Sequence, residues 1–392
     1  MVVREGGQVL KQLRVLVFSA AFGNGHFRAA EAVIEGILSK EPHAIIIHLD
    51  FGDFLSKRFN TMAKNVYIEM IKHTPRLWGK FYYRTAKLRP ESKIQRFLSQ
   101  LGRSDFLKYI QEFEPDLIVC TYPTVSSILA QLRREQILNV PVITVITDYT
   151  VHSHWVHSGV DCYMVACEEV KNSLVSWGIK AQRIQVTGIP VSPKFERELD
   201  RRHIFSKLAL NPELPTFLVM GGAYGCIEST KKICNILTES QVPVQSIIVC
   251  GRNKKLYHSL EELIERSSKP MVRLGFVHNV EELMAVSDLI VTKAGGLTVS
   301  EALTKRLPLI IYNPIPGQEE ENANFVQRIG AGYVAGTEDE LGYFLSHLLE
   351  DPKELERMRG NAAVAFQRHS TDRVVENMLQ LSMNLEIEQK IG

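Results

Sequence analysis

Asp288-Leu289-Ile290-Val291-Thr292-Lys293-Ala294-Gly295-Gly296-Leu297-Thr298-Val299-Ser300-Glu301-Ala302 reads as a short apolar strand, a glycine turn and the start of a helix. A strand apolar on both faces belongs to a parallel sheet covered on both sides. The carboxyl end of such a strand is where open α/β sheets bind ligands. Glycines opening the helix let unpaired N–H groups and the positive helix end face a phosphate. Glu301 then lies about a turn and a half into the helix, within reach of ribose hydroxyls, with Thr298 ahead of it as a further candidate. A second run, Leu309-Ile310-Ile311-Tyr312, leads into Pro316-Gly317-Gln318-Glu319-Glu320-Glu321-Asn322-Ala323, whose amides and carboxylates suit sugar hydroxyls. The two stretches together read as a nucleotide-sugar site. Read more plainly, a glycine pair makes a tight turn and an acidic helix start complements the macrodipole, and Glu320 and Glu321 need no other reason.

Working outward, the same alternation recurs along the chain. Before the quoted stretch come Thr216–Met220, Ser246–Cys250 and Val272–Leu274, and in the first half Arg14–Ser19, Ala44–Leu49, Leu117–Cys120, Val142–Ile146 and Cys162–Ala166. Amphipathic stretches between them predict helices, among them 28–40, 126–135, 352–367 and 372–389. Near-continuous apolar strands separated by helices mean doubly wound α/β domains, and 392 residues exceed what one core usually sustains. The Pro-containing segment from Thr187 to Pro193 is the expected join. The expected domains are 1–188 and 189–370, each a Rossmann-like parallel sheet, with a final helix over 371–392. Gly221 and Gly222 sit between a strand and a helix like a diphosphate-cradling loop, without the later spacing of a dinucleotide fingerprint.

Bulk properties narrow the class. Hydrophobic residues make up 45% and charged residues 23%, ordinary for a globular protein. No run approaches the roughly 20 apolar residues of a membrane span, and the first residues lack a signal-peptide apolar region. The expectation is a cytoplasmic protein or one peripheral on the inner face of the cell membrane. The six cysteines show no C-x-x-C pairing, so neither a disulfide nor zinc is expected. The net charge of +2 hides an asymmetry: residues 1–190 carry 23 Lys and Arg against 17 Asp and Glu, and residues 55–109 carry 13 against 3. Positive charge so localised argues for a docking surface and against general nucleic-acid affinity.

Within 55–90, Lys57, Arg58, Arg76, Lys80 and Arg84 interleave with Trp78, Phe81 and Tyr82. That composition suits an interfacial segment whose rings enter the headgroup boundary while its cations meet anionic lipid. The same composition also fits a solvated basic face over an aromatic core side.

On the first-half side, Phe22-Gly23-Asn24-Gly25-His26 follows the first long strand, and Thr147-Asp148-Tyr149 follows the Val142 strand. His26, at the entry to a helix, is a candidate general base or hydroxyl-orienting group; a histidine there also caps or packs. Asp148 orients His26, polarises an acceptor, acts as the base itself, or simply forms a turn. His152, His154 and His157 have a spacing suggestive of a metal, but no carboxylate or cysteine pattern supports one; with Trp155 they are expected to line an acceptor or membrane-facing loop. Asp50-Phe51-Gly52-Asp53 has the wrong spacing for the Asp-x-Asp of metal-dependent glycosyltransferases.

The ordered set Phe22–His26, Thr147–Tyr149, Thr187-Gly188-Ile189-Pro190, Gly221-Gly222, Lys293–Glu301 and Pro316–Asn322 resembles the glycosyltransferase family of plant monogalactosyldiacylglycerol synthases, bacterial diacylglycerol glucosyltransferases and the N-acetylglucosamine transferase of peptidoglycan lipid synthesis. The diacylglycerol glucosyltransferases are the nearest branch, and the match covers nearly the whole chain. The resemblance implies the GT-B arrangement, two Rossmann-like domains facing across a cleft, with the last helix returning to the N-terminal domain. It implies an inverting transfer of glucose or galactose from UDP-hexose to diacylglycerol, giving a β-linked glycolipid without a metal or other cofactor. It assigns the uracil to Phe276 and Val277, the phosphates to Gly221, Gly222, Gly295 and Gly296, the ribose to Glu301, the hexose to Gln318 and Glu319, and the fixing of the loop or helix start to Asn322. Phe22, Gly23, Gly25, Tyr149 and Trp155 fall on the acceptor side. Rival readings are transfer to another lipid-linked acceptor such as a peptidoglycan precursor, whose transferase has paired glutamines where this chain has Gln318-Glu319, a UDP-sugar epimerase of the same fold, and a non-catalytic UDP-hexose sensor. Donor sugar and oligomeric state are not legible in the sequence.

Overall fold

The computed structural model describes the chain apart from residues 1–2, 6–7, 11, 21–23, 55–61, 63–65, 67–68, 71–72, 89–102, 222–226, 367 and 392. Of the candidate site residues, Phe22, Gly23, Lys57, Arg58 and Gly222 lie outside the described residues.

The chain divides into two compact units, Met1–Pro193 with His369–Gly392, and Lys194–Arg368. A short antiparallel hairpin, β1 (Val3–Glu5) and β2 (Gln8–Leu10), precedes the first sheet. That sheet comprises β3 (Arg14–Ser19), β4 (Ile45–Asp50), β5 (Leu117–Cys120), β6 (Val142–Val145), β7 (Cys162–Val165) and β8 (Ile184–Val186), all parallel, in the order β4-β3-β5-β6-β7-β8. The second unit holds β9 (Thr216–Met220), β10 (Gln245–Val249), β11 (Met271–Leu274), β12 (Leu289–Thr292), β13 (Leu309–Tyr312) and β14 (Gly332–Ala335), also parallel, in the order β11-β10-β9-β12-β13-β14.

Each order reverses once, between β3 and β5 in the first unit and between β9 and β12 in the second. At such a switch point the connections leave toward opposite faces, and a crevice opens at the carboxyl edge. His26 follows β3, Gly221 follows β9 and the Gly295-Gly296 turn follows β12, so all three sit at a switch point.

Period-two alternation sorts the core into layers. Val15 and Val17 pack on one face of the first sheet with Ala30, Val33 and Ile37 of the Asn24–Lys40 helix. Leu16 and Phe18 pack on the other, against Phe106 and Ile110 of the Arg103–Phe113 helix and Ile128 and Leu132 of the Pro123–Arg134 helix. The Ser370–Ile391 helix closes the first face by burying Val374, Val375 and Met378. Gly36 permits its close approach: a Cβ there would stand 2.6 Å from Thr371 Cγ2 and 2.9 Å from Val375 Cγ2. Thr371 donates to the Val191 carbonyl (2.6 Å) and Ser192 to Glu35 (2.6 Å), so the 189–193 segment belongs with the first unit, and the break falls at Pro193 rather than at Gly188.

The opposite, amino-terminal edges share a device absent from the sequence reading. Asp116, Asp161 and Asp288 each precede a strand, and each accepts the first N–H of the neighbouring strand, from Arg14 (2.9 Å), Val142 (2.8 Å) and Thr216 (2.9 Å). A carboxylate satisfies an edge donor that the ladder leaves open. Arg133 grips Asp161 through two bonds and Arg359 pairs with Asp288. Among the described residues no helix is long and apolar enough to cross a membrane.

Candidate active site

In the second unit, β12 delivers the chain into the turn. Gly295 stands at the helix N-cap with extended backbone and no side-chain cap, and the helix runs Gly296–Thr304. Its first N–H groups therefore have no partner from a capping side chain, as anion binding requires. Thr298 and Glu301 are partly buried on this helix, and Gly221 is partly buried at the end of β9, across the switch point.

The loop before the next helix, Gln318–Arg328, is held from two sides. Gly317 caps it at φ 109°, ψ −130°, a conformation only glycine adopts without strain. The Glu319 carboxylate accepts from the Ile315 N–H at 3.0 Å. Glu319 thus holds the loop from within, a capping role beside the hexose-facing one expected of it, while partly buried Gln318 stands at the first helical position. Asn322 is fully buried and donates to the Ala294 carbonyl at 3.0 Å. It joins the two motifs, acting on the phosphate-side turn through backbone.

After β11, Phe276 is exposed, with Val277 partly buried behind it. The Arg252 guanidinium, from the turn after β10, lies 4.7 Å from the Phe276 ring centre, and His278 meets that ring edge-on at 4.9 Å. Arg252 was not a sequence candidate; its signal was its place just beyond a strand end.

In the first unit, His26 is the third residue of the Asn24–Lys40 helix, which also carries partly buried Gly25. Two threonines from adjacent strand ends fix it. Thr121, after β5, donates its hydroxyl to the His26 carbonyl (2.9 Å), and Thr147, after β6, bonds His26 Nδ1 through its hydroxyl (2.8 Å). Tyr122 meets the imidazole edge-on at 5.3 Å and Trp155 lies 6.2 Å away. Burial among these groups lowers the His26 pKa, opposed by the Asp148 charge and by hydrogen bonding to the Thr121 backbone. The ring is therefore kept neutral near neutral pH, the form a base requires. Asp148 and Tyr149, which follow Thr147 in the loop after β6, are partly buried. Asp148 acts on His26 through space, and the ring contact belongs to Thr147, which the sequence reading quoted without assigning it a role.

His152, His154, Trp155 and His157, expected to line an acceptor or membrane-facing loop, are buried or half-buried. Trp155 is 4% exposed and His157 is likewise buried. His157 Nε2 bonds the His154 carbonyl (2.8 Å), and Tyr163, fully buried, donates to the carbonyls of Trp155 and His157. The segment is a packed turn, because its backbone groups need partners once they leave water. Among the described residues no group of three or more His, Cys, Asp or Glu side chains is disposed to hold a metal ion.

Residues 26–191 match the Monogalactosyldiacylglycerol (MGDG) synthase family, and residues 216–374 match the Glycosyltransferase family 28 C-terminal domain. Curated relatives span the whole chain. The processive diacylglycerol beta-glucosyltransferase of Bacillus pumilus is 31% identical over 94% of this chain and 95% of its own, and that of Bacillus subtilis is 31% identical over 96% and 97%. The chain belongs to the diacylglycerol glucosyltransferase family. It is a glycosyltransferase, and its fold is GT-B: Acinetobacter baumannii MurG aligns with TM-score 0.61 at 15% identity over 94% of this chain and 99% of that one. The Neisseria meningitidis UDP-GlcNAc 2-epimerase bound to UDP-GlcNAc aligns with TM-score 0.61 at 14% identity over 94% and 100%. The fold therefore does not separate transferases from epimerases; the full-length sequence relatives do.

In this family member the Pro75–Ala86 helix sorts its residues by face. Arg76, Leu77, Lys80, Phe81 and Arg84 are exposed, at positions that recur on one side of a helix, with Lys87 following. Trp78 and Tyr82 are partly buried on the inner side, where Tyr82 lies 4.8 Å from the His152 ring. Thr85 bonds His152 Nε2 (3.1 Å), and Ser153 donates to the Thr85 carbonyl (3.0 Å). The basic helix is thus anchored on the turn that also carries Trp155.

Proposed function

We propose that this protein transfers glucose from UDP-glucose to the free hydroxyl of diacylglycerol with inversion, producing a β-glucosyldiacylglycerol. The observation that carries the reading is full-length similarity to diacylglycerol beta-glucosyltransferases, together with a neutral, anchored His26 at one switch point and a glycine-opened helix at the other. Galactose, the other donor left open by the sequence, is the less favoured because those relatives are named glucosyltransferases.

In the reaction, His26 Nε2 takes the proton of the acceptor hydroxyl as its oxygen forms the new bond to the anomeric carbon. The bond from that carbon to the UDP oxygen breaks, and UDP leaves with the electron pair. The positive end of the Gly296–Thr304 helix complements the charge on the departing diphosphate, so activity is expected to survive chelation of divalent cations. Glu301 grips the ribose, and Gln318 and Glu319 face the hexose. The exposed Arg76, Lys80 and Arg84 with Leu77 and Phe81 suit an anionic membrane surface in which the acceptor is dissolved, which supports a peripheral position on the cytoplasmic face.

The test mixes purified protein with diacylglycerol in anionic vesicles and, separately, UDP-glucose or UDP-galactose. A monoglucosyl lipid with matching UDP release is expected. A new epimer of the nucleotide sugar formed without lipid would instead identify an epimerase, and binding of UDP-glucose without turnover a sensor. Glu301→Ala should raise KM for the donor, whereas His26→Ala should mainly lower kcat; full kcat in His26→Ala would remove its role as base.

A further inference from the structure

We infer that the Thr147 hydroxyl accepts a hydrogen bond from Nδ1–H of His26 and so holds the ring with Nε2 as the base. The proposal rests on reading His26 as the base of glycosyl transfer. An imidazole with one proton is a donor at one nitrogen and an acceptor at the other. The Thr147 hydroxyl lies 2.8 Å from Nδ1 and is 4% exposed, so no water substitutes for it freely. A hydroxyl can donate or accept, but only one choice leaves a base facing outward. If Thr147 accepts from Nδ1–H, the lone pair is on Nε2 and is available to an acceptor hydroxyl. If it donated to Nδ1, the proton would sit on Nε2 and block the reaction.

The backbone is locked independently, because Thr121 bonds the His26 carbonyl. Helix position and ring orientation are therefore set by different residues, and the second can be altered alone. Asp148, for which the sequence leaves orienting, polarising and base roles open, adds its charge, and the Thr147 hydroxyl makes the 2.8 Å bond to Nδ1. Among the described residues, titratable groups near the ring include Asp148 from the loop after β6 and Tyr122 from the loop after β5, whose hydroxyl is pushed up to about 12 by burial and stays protonated.

Thr147→Val keeps the shape and removes the hydroxyl; Thr147→Ser keeps the hydroxyl. With vesicle-borne diacylglycerol, Thr147→Val should lower kcat about tenfold or more, since a hydrogen bond to a group that becomes charged is being lost. Its KM for UDP-glucose should be unchanged. The acid limb of kcat/KM should move to lower pH, because the imidazolium loses an acceptor. Thr147→Ser should recover most of the rate. Histidine-selective ¹⁵N NMR of the wild-type protein, with the His26 signal assigned from its absence in His26→Gln, should show Nδ1 protonated. A Thr147→Val enzyme with wild-type kcat and pH profile, a Thr147→Ser enzyme as slow as Thr147→Val, or a resting Nε2–H tautomer would each overturn the proposal. Full activity in His26→Ala would instead remove the base reading on which it rests, so the two failures are distinct.

Discussion

Asn322 Nδ2 donates a 3.0 Å hydrogen bond to the Ala294 carbonyl, and through it the helix of one donor motif holds the turn of the other. Both groups are buried, so losing the bond leaves a carbonyl without its partner, at a cost of about 1–3 kcal/mol. Asn322→Ala is therefore expected to raise KM for UDP-glucose about tenfold and to lower Tm, with little change in lipid binding. Steady-state kinetics at saturating diacylglycerol check it, and an unchanged KM would show that the turn needs no such support.

Gly317 predicts a strain effect at the same site. A side chain at φ 109° costs about 1–3 kcal/mol and displaces the first turn of the Gln318–Arg328 helix. Gly317→Ala should lower Tm and impair hexose use more than UDP binding. Comparing affinities for UDP and UDP-glucose by calorimetry separates the two: equal losses would place the fault in the nucleotide pocket.

Acid should destabilise the turn beneath the basic helix. Burial lowers the His154 pKa to about 3 and that of His157 to about 4. In the unfolded chain both bind a proton near about 6.5, so between these values the unfolded state holds more protons and stability rises with pH. Stability should be flat above pH 7 and fall below about 6.5, by on the order of 5 kcal/mol near pH 4.5 for the two groups together. Urea unfolding at several pH values tests this, with His157→Gln expected to flatten part of the slope. An identical slope in that variant would exclude His157 as a source.

The exposed face of the Pro75–Ala86 helix should govern membrane affinity alone. At roughly 1 kcal/mol per basic residue near an anionic surface, changing Arg76, Lys80 and Arg84 together to alanine should weaken vesicle binding by about two orders of magnitude. UDP affinity should not move. Vesicle sedimentation reads the first and calorimetry the second; unaltered sedimentation would assign this face to solvent.

Much of this was legible in the sequence because parallel strands buried on both faces announce themselves as unbroken apolar runs, and ten of them place the two sheets. The Gly295-Gly296 turn into its helix was legible for a related reason: a glycine pair after an apolar run marks a turn. Strand order was not, since crossovers decide which runs become neighbours. Nor were Thr121 and Thr147, whose hydroxyls gain meaning only when β3, β5 and β6 bring them around one imidazole. Glu319 shows the converse, a residue chosen for a ligand that also holds the Ile315 N–H. The burial of Trp155 and His157 was not legible either, because composition does not report it.

The second unit is expected to bind uridine diphosphate at the switch point between β9 and β12, and crystals soaked with UDP are the decisive test. Diphosphate density is expected at the Gly295-Gly296 turn, with ribose on Glu301 and uracil beside Phe276. Nucleotide density elsewhere, or none at saturating UDP, would contradict it.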